Sequence, residues 1–258
     1  RGHGVDVLGA TVAGQNLQDF LEEVPMAWEA VVKKTFKKKE DILPMQMASV
    51  DALKVDLEKF YLSIRAFRGD FRANAPFKFD GQCSEAYIAM DSYAIKLDEL
   101  EAQIEKFREL EELFELQQTT YPEVGETRKE IMHLKNLWDF KAMVDLVYSN
   151  WRNLLWKDVD TDDLEDQNKK IRKQLKEKGN QYPVVKGWQV YRDIDESMAV
   201  MSVILPLVND LHSDAMRVRH WAALARVCNV KAVDPADAKF SLDDMMSLNL
   251  HNHKEEIE

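Results

Sequence analysis

In the stretch LDELEAQIEKFRELEELF, residues 97–114, apolar side chains are interspersed among charged ones. The apolar residues recur at steps of three and four, and they are Leu97, Leu100, Ile104, Phe107, Leu110 and Phe114. This spacing puts them on one face of an α-helix, whereas a half-buried strand would alternate at every second residue. The intervening Glu, Lys and Arg are good helix formers. The stretch therefore predicts an amphipathic helix, about three heptads long, that packs against other helices.

The composition of the whole chain extends this prediction. Its 258 residues include only nine Gly and seven Pro, and 31% of them are charged. Helix-forming residues dominate, and the chain is long enough for one large domain or two smaller ones. We therefore predict an all-α fold, an elongated array of helical bundles.

Charge and hydropathy exclude several classes of partner. The formal net charge of −11 would repel a phosphate backbone and an anionic membrane, so neither is an expected partner. The longest apolar run, MAVMSVILPLV at 198–208, has eleven residues and contains Pro206. A membrane-spanning helix needs roughly 20 apolar residues, so no membrane span is predicted. Cys83 and Cys228 lack a CxxC partner and are interpreted as core thiols in a reducing compartment.

The first part of the chain predicts two helices, over 17–39 and 45–67. Five lysines lie between 33 and 39, where the C-terminus of a helix favours positive charge. A basic amphipathic helix with one Trp is also typical of a calmodulin-type target or a surface anchor, which is the alternative interpretation. The sequence has no signal peptide and no initiator Met, so we interpret it as a fragment of a longer protein.

Glycine and proline predict where the next helices begin and end. The second helix is expected to stop before Gly69, and residues 67–81 are expected to form a connector that packs its Phe residues onto neighbouring helices. The helix that contains the opening stretch is expected to begin at Ser84 and to end at Pro122 and Gly125.

The aromatic-rich residues 127–156 predict a deeply seated helix with three tryptophans, Trp138, Trp151 and Trp156. The next segment, 157–179, carries acids first, bases later and Gly179 last, which is the charge and capping order of one solvated helix. Residues 193–211 predict an apolar helix that Pro206 kinks or stops.

Residues 212–225, HSDAMRVRHWAALA, predict a helix that Ser213 caps and Trp221 seats in the core. Its buried stripe is expected to be wide, and it comprises Leu211, Ala215, Val218, Ala222 and Ala225, extended by Trp221 and Leu224. Arg217 lies one turn before Trp221, so its guanidinium could cover the indole. A further helix start is expected at SLDD (241–244), and KEEIE (254–258) is interpreted as a helix that is cut off by the end of the sequence.

Motifs that carry chemistry are missing from the sequence. It contains no GxxxxGK[ST], GxGxxG, GxSxG or HExxH pattern. His220 has no spaced partner for a triad or metal site, so it is interpreted as a packed or hydrogen-bonded histidine. His251 and His253 would point about 200° apart around a helix and could not hold one ion. We therefore predict no catalytic, cofactor-binding or metal-binding residue.

Several motifs occur together in an order that resembles a known family. They are LWDF at 137–140, NWRNLLW at 150–156, ILPLVNDL at 204–211, MRVRHW at 216–221 and FSLDDMMSLNL at 240–250, followed by HKEEIE. Together they resemble the N-terminal region of dynein heavy chains, where the tail runs into the linker. ELFELQQTTYPEV at 112–124 is similar to the segment just upstream in that family, and its sequence is closer to ciliary or flagellar dyneins than to the cytoplasmic motor. The match covers roughly residues 60–258, and the first fifty residues are placed there by continuity alone.

The resemblance implies a non-catalytic mechanical segment. Residues 1–125 would be a tail-proximal helical bundle, and 126–258 the neck and the first part of the linker, truncated at its C-terminus. In this family the linker is a rod that lies across a AAA+ ATPase ring and bends with the nucleotide cycle. ATP and Mg²⁺ are expected only in that downstream ring, and this segment is expected to hold no cofactor.

The resemblance also implies partners, a location and a set of structural residues. The expected partners are the ring of the same heavy chain, neighbouring heavy chains, and intermediate and light chains, with microtubules bound only through the parent's stalk. The expected location is the cytoplasm and cytoskeleton, in the axoneme of a cilium or flagellum. The residues expected to form a packing joint are Arg217, Arg219, His220 and Trp221 of the family's RHW element, with Trp138, Trp151 and Trp156.

Two alternatives remain open on the sequence. One is a spectrin-like or coiled-coil scaffold that only binds partners, and the other is a helical enzyme with an unrecognised site. A repeat scaffold would place its tryptophans at a common period, but the six Trp residues show none.

Overall fold

The structure, a computed structural model, describes residues 11–12, 15–78, 82–230 and 233–253. The predicted all-α class is confirmed. The helices are α1 (Leu17–Asn74), α2 (Cys83–Leu113), α3 (Pro122–Arg152), α4 (Thr161–Gln181), α5 (Gln189–Leu211), α6 (Val218–Val227) and α7 (Leu242–Met246). Short 3-10 turns cover Trp156–Asp158, Pro183–Gly187 and Leu250–Asn252. A pair of two-residue antiparallel strands, Thr11–Val12 and Gln15–Asn16, precedes α1.

The chain divides into two compact units. The first comprises the chain up to Ser63 together with Gln103–Thr120, and the second comprises Ile64–Ala102 together with Tyr121–Glu258. Helices α1 and α2 therefore contribute residues to both units. The functional division at residue 125 stays a prediction.

Helix α1 is longer than the sequence predicts, because residues 17–39 and 45–67 belong to one helix that continues through Pro25, Pro44 and Gly69. Both prolines are exposed, so water can bind the carbonyl that each leaves without a helical partner. The predicted helix end among the lysines is wrong. The five lysines lie in the middle of α1, so a helix terminus does not explain them.

The core of the first unit forms between α1 and α2. Phe60 and Phe107 lie with their ring centroids 5.0 Å apart, and Leu53 and Ile104 are buried beside them. The buried carboxylate of Glu111 accepts hydrogen bonds from the N–H and hydroxyl groups of Thr119, which holds the turn after α2.

The predicted end of α2 is wrong. The helix ends at Leu113, and Glu115 then adopts a left-handed φ of 56°. Pro122 begins α3 rather than ending α2, and Gly125 lies inside α3. Proline is favoured in the first turn of a helix because its missing N–H would have no helical partner there.

The second unit buries aromatic side chains from the connector and α3. Trp138 is fully buried, and its Nε1–H donates to the carbonyl of Pro76 at 2.9 Å. Phe71 is also fully buried, and the rings of Phe77 and Trp188 lie 4.9 Å apart. The predicted packing of the connector's Phe residues is confirmed for Phe71 and Phe77, although residues up to Asn74 are helical, whereas Phe79 lies outside the described residues.

A buried polar network joins α3, α4 and α5. The Tyr148 hydroxyl donates to Asn168 Oδ1 at 2.6 Å, and Asn168 Nδ2 donates to Ser202 Oγ at 2.9 Å. Burial raises the pKa of the Tyr148 phenol, which keeps it a donor. Because each member has a partner, the network fixes the register of the three helices.

Two further helix ends differ from the prediction. Gly179 lies within α4, where an added Cβ would come within 2.6 Å of Tyr191 Oη, so close packing rather than capping requires the glycine. Helix α5 continues past Pro206, since that proline is exposed while Leu205 and Leu207 on either side are buried. Within the described ranges, no helix is long and apolar enough to cross a bilayer.

Candidate functional site

Helix α6 begins at Val218 rather than at Ser213. Helix α5 runs to Leu211, and the His212 N–H still donates to the Val208 carbonyl at 2.9 Å. The hydroxyl of Ser213 accepts from the N–H of Ala215 at 3.3 Å, so it stabilises a turn and caps no helix. Residues 212–225 are therefore a helix end, a turn and a second helix.

The buried face of α6 is narrower than predicted. Trp221, Leu224 and Ala225 are buried, whereas Val218 is 86% exposed and Ala222 is also exposed. The indole covers far more apolar area than the small side chains, so its position decides which face of this short helix turns inward.

The indole of Trp156 lies at the centre of an aromatic cluster. Its ring centroid is 5.0 Å from that of His212, 6.1 Å from that of Trp221 and 6.0 Å from that of Phe240. All three contacts are edge-to-face, the arrangement that aromatic quadrupoles favour. We call these four residues, Trp156, His212, Trp221 and Phe240, the Trp156 joint.

Hydrogen bonds hold the same segments together. The N–H of Trp156 donates to the carbonyl of Phe240 at 2.8 Å, and the N–H of Leu242 donates to the carbonyl of Leu154 at 2.9 Å. His212 Nε2 lies 2.8 Å from the carbonyl of Trp156, which can only accept, so His212 carries its proton on Nε2. These bonds tie the chain after α3 to the end of α5 and to the start of α7, and the ring contact with Trp221 ties it to α6.

The structure brings together only two of the predicted tryptophans, Trp156 and Trp221. Trp156 lies beyond the end of α3, in the 3-10 turn, so the predicted set of three Trp residues on one helix is wrong. Trp138 binds the Pro76 carbonyl elsewhere in the second unit, and Trp151 stacks against Tyr148 at 5.1 Å.

The charged residues of the predicted site lie on its surface. Arg217 and Arg219 are exposed, and Arg217 is the N-cap of α6. His220 Nδ1 accepts from the N–H of Arg217 at 3.2 Å, so the neutral ring carries its proton on Nε2 and cannot also accept from Arg219 there. Among the cation–π contacts of the described residues, none joins Arg217 to Trp221, so that prediction is wrong.

Sequence reasoning missed His212 and Phe240. It favoured His220 because that residue adjoins Trp221, yet the histidine in contact with the indole cluster is His212, eight positions before His220. Phe240 comes directly before the SLDD helix start, and its backbone pairs with Trp156. No periodic pattern relates these positions.

In the part of the chain that the structure describes, no group of three His, Cys, Asp or Glu side chains could hold a metal ion.

The sequence model of the family described as "Dynein heavy chain, N-terminal region 2" matches residues 124–258, which is just over half of the chain. The chain belongs to the dynein heavy chains. The match begins near the start of α3 and includes every residue of the Trp156 joint.

Curated dynein heavy chains are similar to it over a longer range. It is 32% identical to the flagellar outer arm dynein alpha chain of Chlamydomonas reinhardtii over 240 residues, or 92% of the chain. It is 31% identical to the beta chain of the same arm over 248 residues, and 27% identical to dynein axonemal heavy chain 17 of Mus musculus over 237. These names confirm the expected likeness to ciliary and flagellar dyneins.

The extent of these matches has two consequences. Residues 51–258 number only 208, so a match over 92% of the chain includes part of the first fifty residues, which the motifs alone did not reach. The chain spans about 5% of the length of these dynein relatives. It is a segment from the N-terminal region of a dynein heavy chain.

His212 and His220 of this dynein segment provide a direct test of the joint. We expect His212→Ala to lower the free energy of unfolding by about 2 kcal/mol, because it removes a hydrogen bond and an edge-to-face ring contact. We expect His220→Ala to cost about 1 kcal/mol or less, because its bond to the Arg217 N–H lies on the surface. Urea denaturation of both variants measures the difference. A larger loss for His220→Ala would place the critical histidine on α6 instead.

Proposed function

We propose that this chain is a non-catalytic mechanical segment that joins the tail of a dynein heavy chain to its linker and transmits force between them. The observation that carries the proposal is the Trp156 joint. It links the 3-10 turn after α3 to the end of α5, to α6 and to the start of α7 through ring contacts and backbone hydrogen bonds.

Force transmission requires elements that stay packed under load. Displacement of α5 or α6 from the 3-10 turn would separate the His212 or Trp221 ring from Trp156 and expose apolar surface. Displacement of α7 would break the two backbone bonds on either side of Ser241. Because the contacts share one indole, they should be lost together, which makes the joint stiff.

The rest of the proposal concerns the parent protein. Its ATP and Mg²⁺ sites would lie in a AAA+ ring further along the heavy chain, and its stalk would bind microtubules. Intermediate and light chains and neighbouring heavy chains would be its partners, in the axoneme. Support for this location comes from the relatives, whose names place them in flagellar outer arms and cilia.

The test is Trp221→Ala in the full-length heavy chain, with ATPase rate and microtubule gliding velocity measured on the same preparation. We expect velocity to fall by more than the ATPase rate. The catalytic loops would lie in the AAA+ ring, far from this segment, whereas the joint loses the ring that anchors α6 in the core. Val218→Ala is the matched control, since that side chain is on the same helix and 86% exposed. Unchanged velocity in a folded Trp221→Ala motor would indicate a passive scaffold.

A further inference from the structure

A short antiparallel bridge joins the chain that follows α3 to the residues at the start of α7. Its central pair is Leu155 and Ser241, and the backbone of each is extended. One backbone hydrogen bond lies on either side of this pair, at 2.8 and 2.9 Å. We call residues 154–156 and 240–242 the 155–241 bridge.

The bridge closes residues 157–239 into a loop that contains all of α4, α5 and α6. On the side of the bridge nearer α3, the carbonyl of Leu154 accepts from the N–H of Leu242, the first residue of α7. Arg152 of α3 and Asp243 of α7 form an ion pair of 3.7 Å at the same side. The chain therefore enters and leaves the bridge at one end, and the loop lies at the other end.

This topology determines which helices a pulling force reaches first. A force applied to α3 and to the chain after α7 meets the bridge before it meets any residue of the loop. Hydrogen bonds between antiparallel strands run perpendicular to the strands, so a force at one end loads them one after the other. The bond between Leu154 and Leu242 would break first, and the bond between Trp156 and Phe240 would follow.

Side-chain contacts between α3 and the loop run in parallel with the bridge. The Tyr148 hydroxyl of α3, for example, donates to Asn168 of α4 at 2.6 Å. A bond between two side chains can yield through rotation about their side-chain torsions. The bonds of the 155–241 bridge connect the two main chains directly, so the bridge is the stiffer connection.

The Trp156 joint supports the bridge from the side of the loop. Trp156 and Phe240 belong to the bridge through their backbones, and their rings lie 6.0 Å apart. The Trp156 ring also contacts His212 after α5 and Trp221 of α6. These contacts oppose rotation of the bridge residues, so the loop stabilises the bridge while the force passes through the backbone bonds.

We propose that the 155–241 bridge is a mechanical latch, which passes force directly from α3 to α7 and keeps α4, α5 and α6 out of the path of that force while it is closed. Its role in the motor rests on the force transmission proposed above. Opening of the latch would place the loop in series with α3 and α7 and lengthen the segment.

A disulfide across the central pair tests the latch. A pair that lies between the two bonds of an antiparallel bridge has its Cα atoms about 4.5 Å apart, which is within the range that a disulfide spans. Leu155→Cys with Ser241→Cys should therefore lock the bridge under oxidising conditions. Cys83→Ala and Cys228→Ala are included to prevent other pairings. The same variant under reducing conditions is the matched control.

Optical tweezers can pull the 258-residue chain through tags at its two termini. In the reduced variant we expect one step that releases about 30 nm of chain, the extended length of residues 155–241, at a lower force than the unfolding of α3. The oxidised variant should lose this step and stay folded at the force where the step occurs. Steps that do not depend on the redox state belong to the rest of the chain.

Two further variants test the support that the Trp156 joint gives to the latch. Trp221→Ala should lower the force of the 30 nm step, because it removes the α6 ring that contacts Trp156. Val218→Ala is its control on the same helix, and it should leave the force unchanged because that side chain is 86% exposed.

Three results would overturn the proposal. The first is failure of the disulfide to form in the folded chain. The second is a first unfolding force that is the same in the oxidised and reduced states, which would mean that another contact yields before the bridge. The third is release of the loop only after α3 has unfolded. Unchanged gliding velocity in the Trp221→Ala motor would remove the proposed role in force transmission but would not alter these pulling results, so the two proposals can fail separately.

Discussion

Trp156→Ala is expected to lower the free energy of unfolding by about 3–5 kcal/mol, the usual cost of removing a large buried aromatic side chain. Trp156 is only 7% exposed, and its ring contacts those of His212, Trp221 and Phe240. Chemical denaturation of the 258-residue chain measures the loss. Trp28→Ala is the matched control, because that indole is 69% exposed and its removal should change stability by less than about 0.5 kcal/mol.

A double-mutant cycle distinguishes direct coupling between the Trp156 and Trp221 rings from the independent burial of each ring. If Trp156 and Trp221 stabilise the fold by contacting one another, the losses from Trp156→Ala and Trp221→Ala should fall short of additivity in the double variant. The expected coupling is about 0.5–1.5 kcal/mol, typical of an edge-to-face aromatic pair. Additive losses would mean that each indole packs independently, which would remove the physical basis for a stiff joint.

Local patterns predicted the parts of this fold that depend on neighbours along the chain. The period of α2 is local, and Leu97 and Ile104 are buried as its spacing requires, whereas Leu110 of the same stripe is 38% exposed. The SLDD start is local too, because the Ser241 hydroxyl accepts from the N–H of Asp244 three residues later.

Pro206 misled the prediction because the effect of a proline depends on surroundings that the sequence does not show. A proline within a helix leaves a carbonyl without its partner, and the cost is lowest where water can reach that carbonyl. Pro44 and Pro206 both lie on exposed faces, so α1 and α5 continue through them. The prediction that Gly179 ends a helix was wrong for another reason. The glycine packs against Tyr191, which lies on a helix that begins ten residues later.

The candidate site was predictable only in part. Trp156 and Trp221 were singled out because large aromatics anchor helices, and the structure places them in contact. His212 is 56 residues from its partner Trp156, and no spacing rule connects such positions. Adjacency to Trp221 pointed to His220 instead, although neighbours along a helix point in different directions.

The second large effect is expected at Arg68, a buried cation in the second unit. Its guanidinium binds both carboxylate oxygens of Glu130, at 2.6 and 2.7 Å, and also the Thr127 hydroxyl at 2.9 Å. Arg68 is only 6% exposed. Its Nε has no hydrogen-bond partner among the described residues, so the pair with Glu130 is what compensates for burying the charge.

Glu130→Ala should therefore lower the free energy of unfolding by about 3–5 kcal/mol, because it leaves Arg68 buried without its main counter-ion. Glu126, at 3.6 Å, is mostly exposed and compensates only weakly, which places the loss toward the lower end of this range.

Arg68→Met should cost less than Glu130→Ala, since the Glu130 side chain is 23% exposed and water can hydrate its carboxylate once the arginine is gone. The double variant, Arg68→Met with Glu130→Leu, should recover most of the loss, because apolar side chains of similar size avoid the desolvation penalty that the ion pair must overcome. Chemical denaturation at pH 7 orders the three variants. If the double variant were the least stable, the ion pair itself would be a net source of stability, and α1 and α3 would depend on its charge and not only on its shape.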